Sequence, residues 1–296
     1  MNPEHFALHE VVSGVWAAEA DLMGASIGNA AIIDAGGKTI LIDTFMTDVA
    51  AVELRRTAEE LTGNSVYLAV NSHWHDDHTG GNQVFADVPI VSTAATMEKV
   101  MENAPTDLAA WQAEIDESLR RLEEAAERGD RNAARRLEGM HHYRSFADNF
   151  KLTLPDLLIE GKLVVEGERR VEIETLGRGH TISDVFAWLP GERVLITGDL
   201  CWNGIHPRLH DGFPVDWGEY VEALLARNPK HVIPGHGVPG DASALRPLPE
   251  YFRAAAMLVE EVRTGADPAG FEAPPESEGW AGIKRFRDGL RVLAGG

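Results

Sequence analysis

The chain has one cysteine, Cys201. No internal disulfide can form, and nothing calls for an oxidising compartment. Positive charge is also scarce, with 27 Lys and Arg against 47 Asp and Glu and a net charge of −20. Binding a polyanion requires clustered bases to displace counterions, and no basic stripe is present, so a nucleic-acid partner is not expected. Apolar runs of about 18 residues or more are absent, which excludes a helical membrane span from the expectation. The stretch Met1–Val15 is mixed polar, without the basic start and apolar stretch of a secretory leader. These absences point to a cytoplasmic protein handling a small molecule. What remains, 44% hydrophobic and 25% charged residues in 296, suits an ordinary globular chain with one large core or two small ones.

The pattern of apolar residues and turn signals outlines the elements. Strands are expected over 14–17, 29–34 and 39–43, with Asp34–Lys38 as a hairpin turn. A helix over 47–62 stops at Gly63, and the apolar run Val66–Val70 follows as a strand, giving a βαβ-like unit. A short helix over 79–85 and a strand over 90–92 come next. From about 94 to 150 the text turns charged and alanine-rich, and Gly129-Asp130 breaks it into a helical hairpin. This reads as an insertion within a single domain over 1–296, serving as a cap or a homodimer contact. His141, His142 and Tyr143 near its end are within reach of a pocket, against surface or packing roles as the ordinary alternative. Strand character resumes over 157–165, 170–176, 185–189 and 194–197. A helix over 216–226, a strand over 231–233, and C-terminal helices within 247–296 (248–263 and 281–293) complete the outline.

The chemistry gathers in Asn71-Ser72-His73-Trp74-His75-Asp76-Asp77-His78-Thr79-Gly80-Gly81, where the strand 66–70 ends. Three imidazoles and two carboxylates in six residues would repel on protonation unless a cation held them. Neutral imidazole with carboxylate suits zinc first, and iron or manganese next. His73 and His75 point the same way by period-two alternation, whereas the adjacent Asp77 and His78 cannot easily join them on one ion. A second metal nearby is the consequence. Three later fragments place isolated polar residues beside glycine just after strands: Gly179-His180-Thr181, Gly198-Asp199-Leu200 and Gly235-His236-Gly237.

The ordered set His73-x-His75-x-Asp77-His78, His180, Asp199 and His236 resembles the metallo-β-lactamase-fold metallohydrolases. The resemblance implies an α+β fold, a four-layer αββα sandwich with the helical hairpin inserted. It also implies two divalent metal ions: His73, His75 and His180 on the first, Asp77, His78 and His236 on the second, and Asp199 bridging both. Asp43 falls where the family keeps an acid that orients a ligand histidine, and Asp184 is placed either in a similar role or as a turn cap. Asp199 in the bridging position resembles glyoxalase II and lactonase members more than true β-lactamases.

The expected activity is hydrolysis of a small ester, lactone, thioester or amide by a metal-bridging hydroxide, with Asp77 taking its proton and weak β-lactam turnover as a side reaction. Trp202, His206, Arg208 and His210, with Trp217, are the expected substrate contacts. A mononuclear-iron persulfide dioxygenase and a non-catalytic metal-binding regulatory protein are the alternatives.

Overall fold

The computed structural model describes residues 2–295. The chain divides into two compact units, one formed by the residues up to Ser92 with Met97–Leu158, the other by Thr93–Thr96 with Ile159 onward.

The first unit is built on a seven-stranded sheet whose strands lie in chain order. β1 (Phe6–Val12), β2 (Val15–Ala20), β3 (Ala30–Asp34) and β4 (Thr39–Ile42) form an antiparallel meander. Its first turn uses Gly14 at φ 78° and its third uses Gly36 and Gly37 at φ 78° and 73°, conformations that an added Cβ would oppose. α1 (Asp48–Thr62) then carries the chain across to β5 (Val66–Val70), which pairs parallel to β4. The helix begins where Thr47 accepts from the Ala50 amide and ends at Gly63, left-handed, whose N–H reaches the Glu59 carbonyl. Ala50, Ala51, Leu54 and Ala58 bury one stripe of it in a core with Ile32, Leu41, Phe45 and Phe85. A helical crossover between parallel strands delivers the loop after β5 to the carboxyl edge of the sheet, the usual place for chemistry in such units.

The single turn α2 (Asp76–Thr79) and a 3₁₀ segment, Gly80–Phe85, follow, and β6 (Ile90–Ser92) extends the sheet. The helical region is three helices rather than two: α3 (Ala94–Asn103), α4 (Leu108–Glu127) and α5 (Arg131–Asn149). Ala104-Pro105-Thr106-Asp107 makes the extra break, because Pro105 cannot donate to the helix and Asp107 caps the next one by accepting from the Ala110 amide. Asp130 caps α5 in the same way, accepting from Asn132 and Ala133. α4 and α5 have their own small core of Ile115, Leu119 and Ala147, with Trp111, Leu137, Met140 and Tyr143 against it.

Two strand expectations need correction. β1 was not foreseen, since its burial pattern is irregular and offers no clean alternation. The run expected over 157–165 is two strands in different sheets. β7 (Leu157–Leu158) pairs with β6, while β8 (Lys162–Val165) pairs with β9 (Val171–Gly177); Glu160-Gly161 turns the chain between them.

The second unit holds a five-stranded sheet in the order β12-β11-β10-β9-β8, comprising β8, β9 (Val171–Gly177), β10 (Asp184–Leu189), β11 (Val194–Ile196) and β12 (His231–Ile233). It is antiparallel except for the β11–β12 pair. α6 (Pro214–Ala226), α7 (Leu248–Arg263) and α8 (Ile283–Leu293) bury Trp217, Tyr251, Phe252 and Phe286 against the buried face of that sheet. On β9, the buried Glu174 side chain accepts from both terminal nitrogens of Arg227, each at 2.8 Å, in a two-pronged pair. Among the described residues, no helix is long and apolar enough to cross a membrane.

Candidate metal centre

In the first unit the histidine loop rests on buried amides. Asn71 and Asn82 exchange side-chain hydrogen bonds of 2.9 Å in both directions, and Thr44 Oγ1 donates to Asn82 Oδ1 at 2.9 Å. This fixes the backbone from which His73, His75 and His78 project, all three buried. His73 Nε2 lies 3.0 Å from His75 Nδ1, and Ser72 Oγ is 2.9 Å from His73 Nδ1.

Asp43 organises the same loop. Its Oδ1 accepts from the Ser72 amide at 2.7 Å, and its Oδ2 accepts from Ser72 Oγ and from His78 Nδ1, each at 2.8 Å. Because a carboxylate can only accept, His78 carries its proton on Nδ1 and presents a lone pair on Nε2, 3.5 Å from Asp77 Oδ2. Asp43 does this from φ 64°, a left-handed conformation that costs a non-glycine residue on the order of 1–3 kcal/mol and is held by its surroundings. Gly28 faces the same imidazole: a Cβ there would stand 2.7 Å from His78 Nε2. Asp76 is exposed. Burial, then the Asp76 charge, pushes the Tyr143 phenol of α5 upward. His142 packs edge-on against His5 at 5.0 Å, and His141 is exposed.

In the second unit the ligand candidates come from three strand ends. His180 follows β9, Asp199 sits in the 3₁₀ turn Gly198–Leu200 after β11, and His236 follows β12. Asp199 offers Oδ2 to His180 Nε2 at 3.2 Å and Oδ1 to His236 Nε2 at 3.3 Å. Gly235 makes this approach possible, since a Cβ there would collide with Asp199 Oδ1 and the Gly198 carbonyl carbon. Asp184 accepts from the Thr181 amide at 3.0 Å and from Thr181 Oγ1 at 3.0 Å, which ties down the residue after His180. Burial pushes the Asp184 carboxyl up to about 8 against these hydrogen bonds, with the Asp199 charge adding to the rise.

Two indoles wall this half. Trp217 lies 4.9 Å from the His180 ring, and Trp202 stacks on His236 at 3.8 Å and 34°.

The expected substrate contacts fare unevenly. His206 is a core residue, 1% exposed, with Nδ1 3.1 Å from Tyr251 Oη and with Trp280 and Phe286 around its ring. Burial, helped by the Arg285 charge, pulls its pKa down to about 4, so it stays neutral in the folded chain. Trp217 is fully buried, with its Nε1 donating to the Leu200 carbonyl at 3.1 Å. Trp202 is 5% exposed and acts as backing for His236 rather than as an open face. Arg208 is exposed and His210 half-buried. Cys201 is buried, and burial raises its thiol well above the ordinary range. Arg285 of α8, over the Trp202 ring at 5.2 Å, was not foreseen, since no motif surrounds it and it lies 83 residues further along the chain.

Each half thus gathers imidazoles and carboxylates in an interior where an isolated charge would be costly. This donor set fits divalent cations of the zinc, iron or manganese type.

The family model described as the metallo-beta-lactamase superfamily matches residues 23–236. Curated proteins named metallo-beta-lactamase type 2, from Bacillus sp. (strain 170) and Bacillus cereus, are each 33% identical over 84 residues. That match covers 27% of this chain and spans about a third (33%) of the relatives' own length. Among solved structures, a metallo-beta-lactamase from Pontibacter korlensis superposes with a TM-score of 0.61 at 20% identity, covering 84% of this chain and 99% of that one. The FIM-1 metallo-beta-lactamase from Pseudomonas aeruginosa, in a mono-zinc form, gives 0.63 at 16% identity, covering 87% and 99%. Identities this low show a shared fold and nothing about a shared substrate. By a family model that spans most of its length and by a fold that agrees with it, the chain belongs to the metallo-beta-lactamase superfamily.

Proposed function

We propose that the protein is a metal-dependent hydrolase of small esters, lactones, thioesters or amides. The observation that carries this reading is the Asp199 carboxylate, which turns one oxygen to His180 and the other to His236 and so suits a ligand shared by two cations. In this reading His73, His75 and His180 hold one cation, Asp77, His78 and His236 a second, and Asp199 serves both, an allocation the donor types support. Two divalent ions held there would supply Lewis acidity and lower the pKa of a shared water.

The side chains have separate tasks around that chemistry. Asp77 accepts a hydrogen bond from the attacking water and takes its proton. Asp43 keeps the His78 proton on Nδ1, so Nε2 is always the donor nitrogen. Asp184 anchors Thr181 and with it the backbone of the His180 loop. Trp202 and Trp217 keep bulk water from His236 and His180, which strengthens charge interactions at those rings. No serine or cysteine nucleophile is needed, in keeping with a buried Cys201.

Elemental analysis of the purified protein, followed by a panel of ester, lactone, thioester, amide and β-lactam substrates, tests the reading. Two equivalents of zinc, iron or manganese with hydrolysis that chelation abolishes are expected. Asp199→Ala should release at least one equivalent of metal and most of the activity. One equivalent of iron with oxygen uptake on glutathione persulfide would replace this reading with a dioxygenase. Two bound metals with no turnover anywhere in the panel would point to a non-catalytic protein.

A further inference from the structure

α6 turns Trp217, Tyr220, Val221 and Leu224 into the core of the second unit, and one of these side chains carries a polar group to a break in the sheet. β9 and β10 are joined by residues 178–183, the segment that holds His180. Their ladder is regular from the pair Glu172 and Trp188 to the pair Thr175 and Val185, and then it shifts. Asp184 stands opposite Gly177, so Leu176 is an extra residue on β9. A bulge of this kind leaves backbone groups without ladder partners and re-aims the chain beyond it.

Tyr220 Oη fills that gap. It accepts from the Leu176 amide at 2.8 Å and donates to the Asp184 carbonyl at 2.8 Å. One hydroxyl can do both, because it has a proton and free lone pairs; the same ring without it could do neither. Tyr220 is 4% exposed, and burial pushes its phenol up, so it keeps the proton that it donates through the neutral range. The ring supports the same segment. A Cβ on Gly179 would stand 3.2 Å from Tyr220 Cδ1 and 2.8 Å from Leu200 Cδ2, so the residue before His180 lies against the phenol. Gly179 is held there by its carbonyl, which accepts from the Phe213 amide at 2.8 Å. Tyr220 therefore meets the chain ahead of His180, next to it and after it.

We propose that Tyr220 is a positioning residue for the metal centre: its hydroxyl closes the bulge between β9 and β10 and so sets where His180 presents its imidazole to a cation. Ligand side chains have to be held to within about 0.5 Å, and a bulge whose amide and carbonyl lose their shared partner rearranges more easily. Tyr220 acts on His180 through the backbone, at a distance from any reacting atom. The inference rests on the reading of His180 as a metal ligand and is independent of which bond the protein cuts.

The test measures zinc binding by the full-length wild type, Tyr220→Phe, Phe186→Leu and His180→Ala in competition with a chromogenic chelator. The visible absorption of the same proteins loaded with cobalt(II) reports the surroundings of the ion. Tyr220→Phe should bind zinc roughly tenfold more weakly, the order expected for losing one buried hydrogen-bonding group behind a ligand, and its cobalt spectrum should shift. Phe186→Leu removes the ring packed edge-on against Tyr220 at 6.0 Å and keeps the hydroxyl. It should lower Tm at least as much as Tyr220→Phe does, with the zinc affinity and cobalt spectrum of the wild type. In the wild type, amide exchange at Leu176 and Thr181 should slow on zinc loading, because binding that needs the bulge closed must in turn hold it closed.

Unchanged zinc affinity and cobalt spectrum in Tyr220→Phe overturn the proposal. An equal loss of affinity in Phe186→Leu overturns it too, since the effect would then be a general loosening of the core. If Tyr220→Phe does not fold, the exchange experiment on the wild type decides: slowing at Leu176 upholds the positioning role, and unchanged exchange refutes it. His180→Ala keeps this apart from the ligand reading. Wild-type zinc affinity in His180→Ala removes His180 from the metal centre and the proposal with it. Weak binding by His180→Ala beside undiminished binding by Tyr220→Phe refutes the positioning role alone.

Discussion

Asp43 shows how one residue can carry both a backbone and an electrostatic duty. It sits at φ 64°, and its carboxylate takes three hydrogen bonds from Ser72 and His78. Asp43→Asn tolerates the left-handed backbone but loses the charge and half of the acceptor capacity. Metal affinity should fall by roughly 10–100-fold, as removing such partners of a ligand histidine usually does; competition with a chromogenic chelator measures it. The ligand candidates were legible in sequence because histidine and aspartate beside glycine at strand ends have few competing explanations. His206 was misread for the opposite reason. Followed by Pro207 and Arg208 it looks like an open loop, and the partners that make it a core residue, Tyr251, Trp280 and Phe286, lie far along the chain. Arg285 escaped notice on the same ground, since its contacts with Trp202 and the His206 carbonyl come from residues far back in the chain.

At the scale of elements, most of the strands and helices followed from periodicity and caps. α1, β5, β6, β12 and α7 begin and end within one residue of expectation, because Thr47, Gly63 and the short apolar runs are unambiguous. The errors fall where pattern is silent. β1 alternates poorly, and the two residues of β7 are held by pairing with β6 rather than by their own sequence. The α4–α5 hairpin was legible as helical, but how it attaches was not.

Gly139 supplies that contact. On α5, a Cβ at this position would collide with the carbonyl oxygen of Met23 and stand 2.6 Å from that of Gly24, so the helix seats directly on the 21–28 loop. Gly139→Ala gains about 1 kcal/mol in helix propensity, yet the clash with two backbone oxygens should outweigh it. A lower Tm is expected, with faster amide hydrogen exchange in α5 and in residues 21–28. A higher Tm would mean that the loop yields without cost.

For the whole molecule, acidity should act on stability through the buried His206. His206 is held neutral, its pKa pulled from 6.5 to about 4 by burial. Above pH 6.5 both folded and unfolded chains leave it neutral and it costs nothing. As pH falls from 6.5 toward 4 the unfolded chain takes up a proton that the folded chain refuses, so stability declines across that window and levels off below it. The comparison with His206→Gln isolates this contribution. The gap in Tm between wild type and variant should narrow as pH drops from 7 to 5, and a gap that stays constant would contradict a neutral His206.

The lone sulfhydryl offers a practical consequence. Cys201 is fully enclosed, its Sγ 3.7 Å from the Ala244 carbonyl, and its enclosure keeps the reactive thiolate form scarce. Alkylating reagents therefore meet nothing in the native chain and react only when the second unit opens. Labelling yield over time becomes a clock for that opening, and a cysteine engineered on the surface can take a dye without the native one being removed.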